Sequence, residues 1–246
     1  PVLIEGLPGM GNVGQIVVDF IVDELKAKKL YEFSSYTFPH SVFVNEDNLV
    51  ELPKIEMYYK KRNKGNDLLF LSGDVQPIEE IPSYEFSQLI IDIVNEFNGK
   101  EIVTIGGIGL HHIPKIPKIY CTGNSEKIIA KYKKKSNIDD QVYGVVGPII
   151  GATGLIVGLA KKKNIDAICL LAETYGHPMF LGIKGSREIL KTLNEKFSLR
   201  LNLSKLDKEI KAIETEMKKT EDFASVSLDS VKGKISKLKK SMDYIG

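Results

Sequence analysis

Residues 2–14, Val2-Leu-Ile-Glu-Gly-Leu-Pro-Gly-Met-Gly-Asn-Val-Gly14, constrain the fold more than any other stretch of the chain. The apolar run Val2 to Ile4 reads as a buried strand, the glycines as a tight turn, and Gln15 to Leu25 as an amphipathic helix. A strand, turn and helix in that order belong in an α/β fold, where the helix packs back on a parallel sheet. Gly9, Gly11 and Gly14 also match G-x-G-x-x-G, the spacing that brings a dinucleotide's pyrophosphate to a helix N-terminus.

A dinucleotide site needs a further residue, an acid about 20 residues on, at the end of the second strand, to hold the ribose. Here that strand ends Tyr36-Thr-Phe-Pro-His40, and Glu32 lies near its beginning. Without the acid, the glycines read as positive-φ positions and points of close helix–sheet approach. An anion at the helix N-terminus is compatible with that reading. A second glycine-rich turn, Gly144 to Gly154, lacks the lysine of a phosphate-binding P-loop and offers backbone N–H groups and Thr153 instead.

Elsewhere, buried-strand patterns over Asp67–Ser72, Glu101–Ile105 and Asp166–Glu173 alternate with helical patterns over Ser83–Phe97, Leu155–Lys163 and Ser186–Phe197. Leu30–Phe38 alternates as a strand. Ser41–Val44 and Leu49–Lys61 flank the turn Glu46-Asp-Asn48 as a hairpin, with Pro53 marking an edge or a bulge. The expected fold is an α/β three-layer sandwich with a largely parallel central sheet and a hairpin appendage. Composition shifts at Ser204, where Leu206, Ile210, Ile213 and Met217, and later Leu228, Val231, Ile235, Leu238 and Met242, form narrow helical stripes among lysines. The expected division is therefore an α/β domain, 1–203, and a helical extension with a tail, 204–246.

No assembled catalytic set emerges from the residue types. None of the four histidines, His40, His111, His112 and His177, lies in a zinc-protease spacing. His111 and His112 sit in a loop at the carboxyl end of a strand, where α/β folds place ligands. Glu173, at a strand end, is either a base or a partner for a backbone N–H or a cation. Ser72-Gly-Asp74 lacks the nucleophile elbow, and Asp74 is expected to cap its own turn. A small-ligand site, if the chain has one, would draw on Gly9, Gly11, His111, His112, Thr153 and Glu173. Cys121 and Cys169 lack metal or redox spacing and read as buried apolar side chains in a reducing, cytoplasmic setting. A formal net charge of +2 demands neither nucleic acid nor a membrane as partner. Neither a membrane-spanning run nor a signal-peptide pattern is visible in these residues.

Five segments in order, Gly6–Gly14, Gly73-Asp-Val-Gln-Pro77, Gly106-Gly-Ile-Gly109, Gly147–Leu155 and Leu170-Leu-Ala-Glu-Thr174, resemble the PAC2 (proteasome assembly chaperone 2-like) family, specifically its archaeal members. The resemblance spans about residues 2–203. It implies a fold similar to the nucleoside phosphorylases, no cofactor, and an ATP-independent, non-catalytic homo-oligomer that binds proteasome 20S α-subunits. It also implies a C-terminal hydrophobic–Tyr–any tail that enters pockets between those subunits. This chain ends Met242-Asp-Tyr-Ile-Gly246, so the corresponding residues are Tyr244, Ile245 and Gly246, with the Tyr one place early. A lone Tyr at a helix end is the other reading of that tail. An enzyme or sensor for a nucleoside or a phosphorylated small molecule is the other reading of the function. A bare scaffold that assembles through the C-terminal helices is a third.

Overall fold

The elements follow in the order β1 (Val2–Glu5), α1 (Val13–Leu25), β2 (Lys28–Phe33), β3 (Phe43–Val44), β4 (Val50–Glu51), β5 (Ile55–Lys60), β6 (Leu68–Gly73), α2 (Glu80–Glu96), β7 (Glu101–Leu110), β8 (Ile119–Gly123), α3 (Glu126–Lys133), β9 (Ile138–Asp139), α4 (Ala152–Ala160), β10 (Asp166–Tyr175) and α5 (Ile183–Phe197). The computed structural model describes residues 1–212 apart from 135, 143, 145, 146, 205 and 209. Eight strands form one sheet in the order β2-β5-β6-β1-β7-β10-β8-β9, and β3 and β4 form a separate hairpin. The central four, β6-β1-β7-β10, are mutually parallel; β5 and β8 join them antiparallel at the two sides.

The central strands read as continuous apolar runs because both faces of the sheet are covered. Val2 and Ile4 point into one core with Val17 and Ile21 of α1 and Leu190 and Leu193 of α5. Leu3 points into the other with Phe86, Ile90 and Val94 of α2 and Ile156 of α4. Each such fully buried side chain contributes about 1.5–3 kcal/mol of transfer free energy. The three-layer sandwich with a mostly parallel sheet is therefore the fold. Cys121 and Cys169 are both buried in it as free thiols.

Several boundaries differ from those expected. β7 does not stop at Ile105 but continues through Gly106–Leu110, because β10 offers a matching ten-residue partner from Glu101↔Asp166 to Leu110↔Tyr175. α2 begins at Glu80, so Ser83 lies inside it, and its hydroxyl donates to the carbonyls of Pro77 (3.1 Å) and Glu79 (2.7 Å). α4 starts at Ala152 and gives way to a 3-10 turn over Lys161–Lys163. The second hairpin segment divides at Pro53, which has no N–H to offer a ladder, into β4 and β5. Beyond α5, the chain turns helical again at 204, and Leu206 is fully buried against the α1/α5 core. Arg187 on α5 holds Asp207 there through its Nε (2.6 Å).

Candidate functional site

All the glycine-rich segments converge at the carboxyl end of the parallel strands. The turn after β1 is fixed by its backbone: Gly11 has φ +62° and Asn12 φ 49°, both left-handed. A Cβ on Gly11 would stand 2.7 Å from the Thr174 hydroxyl and 3.2 Å from the Gly182 nitrogen, which already donates to the Gly11 carbonyl (2.7 Å). Gly14 is pressed on the Ile105 carbonyl and Gly107 on the Met10 carbonyl, at 2.5 and 2.2 Å from where their Cβ atoms would be. Gly9, by contrast, is exposed and faces open space. Two of the three fingerprint glycines thus seat α1 against neighbouring protein, Gly11 on Thr174 and Gly182 and Gly14 on the Ile105 carbonyl.

Gln76 ties three loops together. Its Nε2 donates to the Pro8 carbonyl (2.8 Å), and its Oε1 accepts from the Ala152 N–H at the start of α4 (3.1 Å). Nearby, Gln15 Nε2 donates to the Gly73 carbonyl (3.0 Å), locking α1 to the end of β6.

Under α4 lies a carboxyl that the strand pattern hides. Glu5, the last residue of β1, is fully buried. Its Oε1 accepts from the Leu7 N–H (3.1 Å) and from Thr153 Oγ1 (3.4 Å), while Oε2 is buried with no hydrogen-bond partner among the described residues. Burial drives its pKa up to about 7, against the opposing pull of the Leu7 N–H, the Thr153 hydroxyl and the Ile105 backbone. In register beside it come Thr104 and Cys169, whose thiol burial pushes up to about 12. On the α1 side of the sheet, Asp19 is a second raised carboxyl, also at about 7. Burial is the main cause; Ser72, which donates to it, opposes the rise, and the carboxylates of Asp23, Asp74 and Glu56 add to it. The only sequence signal for Glu5 is an acid ending an apolar strand directly before a glycine. For Asp19 it is an acid at a helix position flanked by Val18 and Phe20.

The other small-ligand residues do not form one constellation. Glu173 is committed to the start of the neighbouring strand β8: Oε2 accepts from the Lys118 N–H (3.0 Å) and Oε1 from the Tyr120 hydroxyl (3.3 Å). It and Thr153 lie on the α2/α4 side, whereas Gly11 packs against Thr174 on the α1/α5 side. His111 and His112 are exposed in the loop that leaves β7. Asp74 does not cap its own turn; Oδ2 accepts from the Lys54 N–H (3.2 Å) and closes the β5/β6 end. Among the described residues, no three His, Cys, Asp or Glu side chains come together as a metal site, and no helix is long and apolar enough to cross a membrane. Tyr244, Ile245 and Gly246 lie outside the described residues.

Comparison with known proteins places this geometry. The sequence model of the PAC2 family matches residues 3–221. An uncharacterised protein of Methanocaldococcus jannaschii is 29% identical over 244 residues, covering 99% of this chain and 92% of its own length. Among solved structures, Pyrococcus furiosus PbaB, an archaeal proteasome activator, superposes with a TM-score of 0.81 at 31% identity, over 90% of this chain and 93% of its own. P. furiosus PbaA, an archaeal homologue of proteasome-assembly chaperone, shares the fold with a TM-score of 0.69 at 21% identity, over 88% of this chain and 89% of its own.

Proposed function

The chain belongs to the PAC2 family, and from that premise we propose that it is a proteasome-binding protein of the assembly-chaperone or activator kind. The observation that carries this reading is the 31% identity to PbaB across nine-tenths of both chains, well above what fold alone requires. In this reading the protein acts without ATP and without catalysis, as a homo-oligomer, on the α-subunits of the 20S particle in the cytoplasm. The α/β body, 1–203, is the rigid platform. The extension, 204–246, is rooted on it by Leu206 and by the Arg187–Asp207 pair.

Tyr244, Ile245 and Gly246 are the docking tail. An aromatic anchor suits a preformed pocket, and several tails on one oligomer would bind together more tightly than one alone. The test is capture of archaeal 20S α-subunits by the full chain and by a chain lacking 244–246. Capture by the full chain and at least ~10-fold weaker capture by the shortened one is the expected result. Absence of capture by the full chain refutes the proteasome reading; equal capture by both removes only the tail.

A further inference from the structure

The start of α4 is fastened to the body by few contacts. Its first turn, Ala152-Thr-Gly154, consists of small residues that bury little apolar surface. Gly151, just before it, has φ +83° and supplies no side-chain cap. Two polar ties among the described residues hold the turn down: the Ala152 N–H donates to Gln76 Oε1 (3.1 Å), and Thr153 Oγ1 donates to Glu5 Oε1 (3.4 Å). Upstream, Gly147 is exposed with open space where a Cβ would be, and Ile150 is 83% exposed. Further along, Ile156 and Val157 sink large side chains into the core. A helix start with so few buried apolar contacts opens more easily than the helix body behind it.

What lies beneath this turn suits a neutral carboxyl and not an ionised one. Glu5 has no ion-pair partner among the described residues, and its Oε2 has no donor. Beside it in register stand Leu71 of β6 and Thr104 of β7, with Cys169 of β10 next. Phe86, Ile90 and Ile91 of α2 and Ile156 of α4 fill the same core. An ionised carboxylate in such surroundings lacks both water and a counter-charge.

The charged groups of the packed elements do not change this. α4 has no charged residue. On α2, Glu80, Glu85 and Glu96 are exposed, and Asp92 pairs with Lys163. On this face of the sheet the titratable neighbours are Cys169, whose thiol burial keeps neutral, and, further along, Tyr120 and Glu173, which bond to each other. Asp19, with Asp23, Asp74 and Glu56 around it, belongs to the α1 side. The positive end of α4 favours an anion at Glu5, but burial outweighs it and the carboxyl keeps its proton up to about pH 7.

We propose that Glu5 is a proton-operated latch on the first turn of α4: protonated, it holds the turn closed; ionised, it lets the turn swing about Gly151 and admit water to the carboxylate. The proton passes from Glu5 to solvent, and no other covalent bond changes. The glycine-rich loop that carries Ile150 is thereby fixed under acid conditions and loosened under alkaline ones. Opening returns the carboxyl from about 7 to roughly the 4.3 of a solvated glutamate. The opening equilibrium therefore rises about 10-fold between about pH 6 and pH 8. The latch is independent of what the protein binds, so the chain alone suffices to test it.

The measurement is amide hydrogen exchange of the full chain at the two pH values, each rate divided by that of an unstructured peptide at the same pH. Protection of the Leu155–Val157 amides is expected to fall about 10-fold from about pH 6 to pH 8, while that of Ile189–Leu193 in α5 falls less. Glu5→Gln should abolish the α4 change, and Asp19→Asn should leave it in place. An equal fall in α5 overturns the latch, because the whole fold is then weakening together. The wild-type comparison of α4 with α5 decides this even where a variant does not fold. Unchanged or increased protection of α4 at the higher pH also overturns it, as does a fall that survives Glu5→Gln or disappears in Asp19→Asn.

Discussion

The buried carboxyl of Glu5 gives the sharpest test of how this fold is held together. Its folded-state pKa of about 7 stands well above the roughly 4.3 of a glutamate in an unfolded chain. Below about pH 4 the group is protonated in both states and contributes no pH dependence. Between about 4.3 and 7 the unfolded chain releases its proton while the folded one keeps it, so stability falls as pH rises, and above about 7 the loss is complete. The separation corresponds to about 3–4 kcal/mol. Glu5→Gln removes the titration but keeps the shape and the acceptor for Leu7 and Thr153. Its amide N–H₂ then occupies the position of the unpartnered Oε2 at a roughly pH-independent cost of about 1–3 kcal/mol.

The stability of the variant minus that of the wild type should therefore be about 2–3 kcal/mol more favourable at pH 8 than at pH 5. In a chain of this size that is about 4–12 °C of differential melting temperature. Asp19, whose pKa is raised in the same direction, titrates in both proteins and cancels from the comparison. Urea unfolding at the two pH values provides the measurement. A variant-minus-wild-type difference equal at both would refute the assignment of a protonated, buried Glu5.

The glycines separate packing from ligand binding: Gly11→Ala, at φ +62° and 2.7 Å from Thr174, should destabilise by at least ~2 kcal/mol. Gly9→Ala, in extended backbone with open space, should stay within ~0.5 kcal/mol on thermal unfolding. Gln76→Ala removes the bridge from Pro8 to Ala152 and should cost about 1–3 kcal/mol, with faster hydrogen exchange in both loops. At the amino end of the sheet, Tyr132 is fully buried and donates to Glu101 Oε1 (2.7 Å). Tyr132→Phe should lower stability by about 1–3 kcal/mol in denaturant unfolding, because it leaves a buried carboxylate oxygen short of a donor.

Which features were legible depends on how local their causes are. Val2–Ile4 and Leu68–Leu71 announce themselves because both faces of a central strand are covered, so apolar residues run without interruption. α1 was equally clear, since its buried positions recur at helical spacing. The stretch Gly106–Gly109 was not legible as strand, because glycine locally signals a turn and only the distant β10 turns it into a ladder. β9, two residues long, has no pattern of its own and exists through its pairing with β8. At the site, the glycine spacing was visible, but its purpose depends on Thr174 and Gly182, over 160 residues away. Glu5 looked like the end of a strand because nothing nearby in sequence reveals that Thr153 covers it.

The strand order also governs when the protein can form during synthesis. β1 lies between β6 and β7, so its two flanking strands are made roughly 60 and 100 residues after it. At about 5–20 residues per second, the Val2–Glu5 strand and the apolar face of α1 remain without sheet partners for some seconds to tens of seconds. The centre of the sheet can close only once β10 has been made. The chain therefore commits to its fold late, as one unit, and a nascent β1 with free edges is the segment most in need of shielding until then.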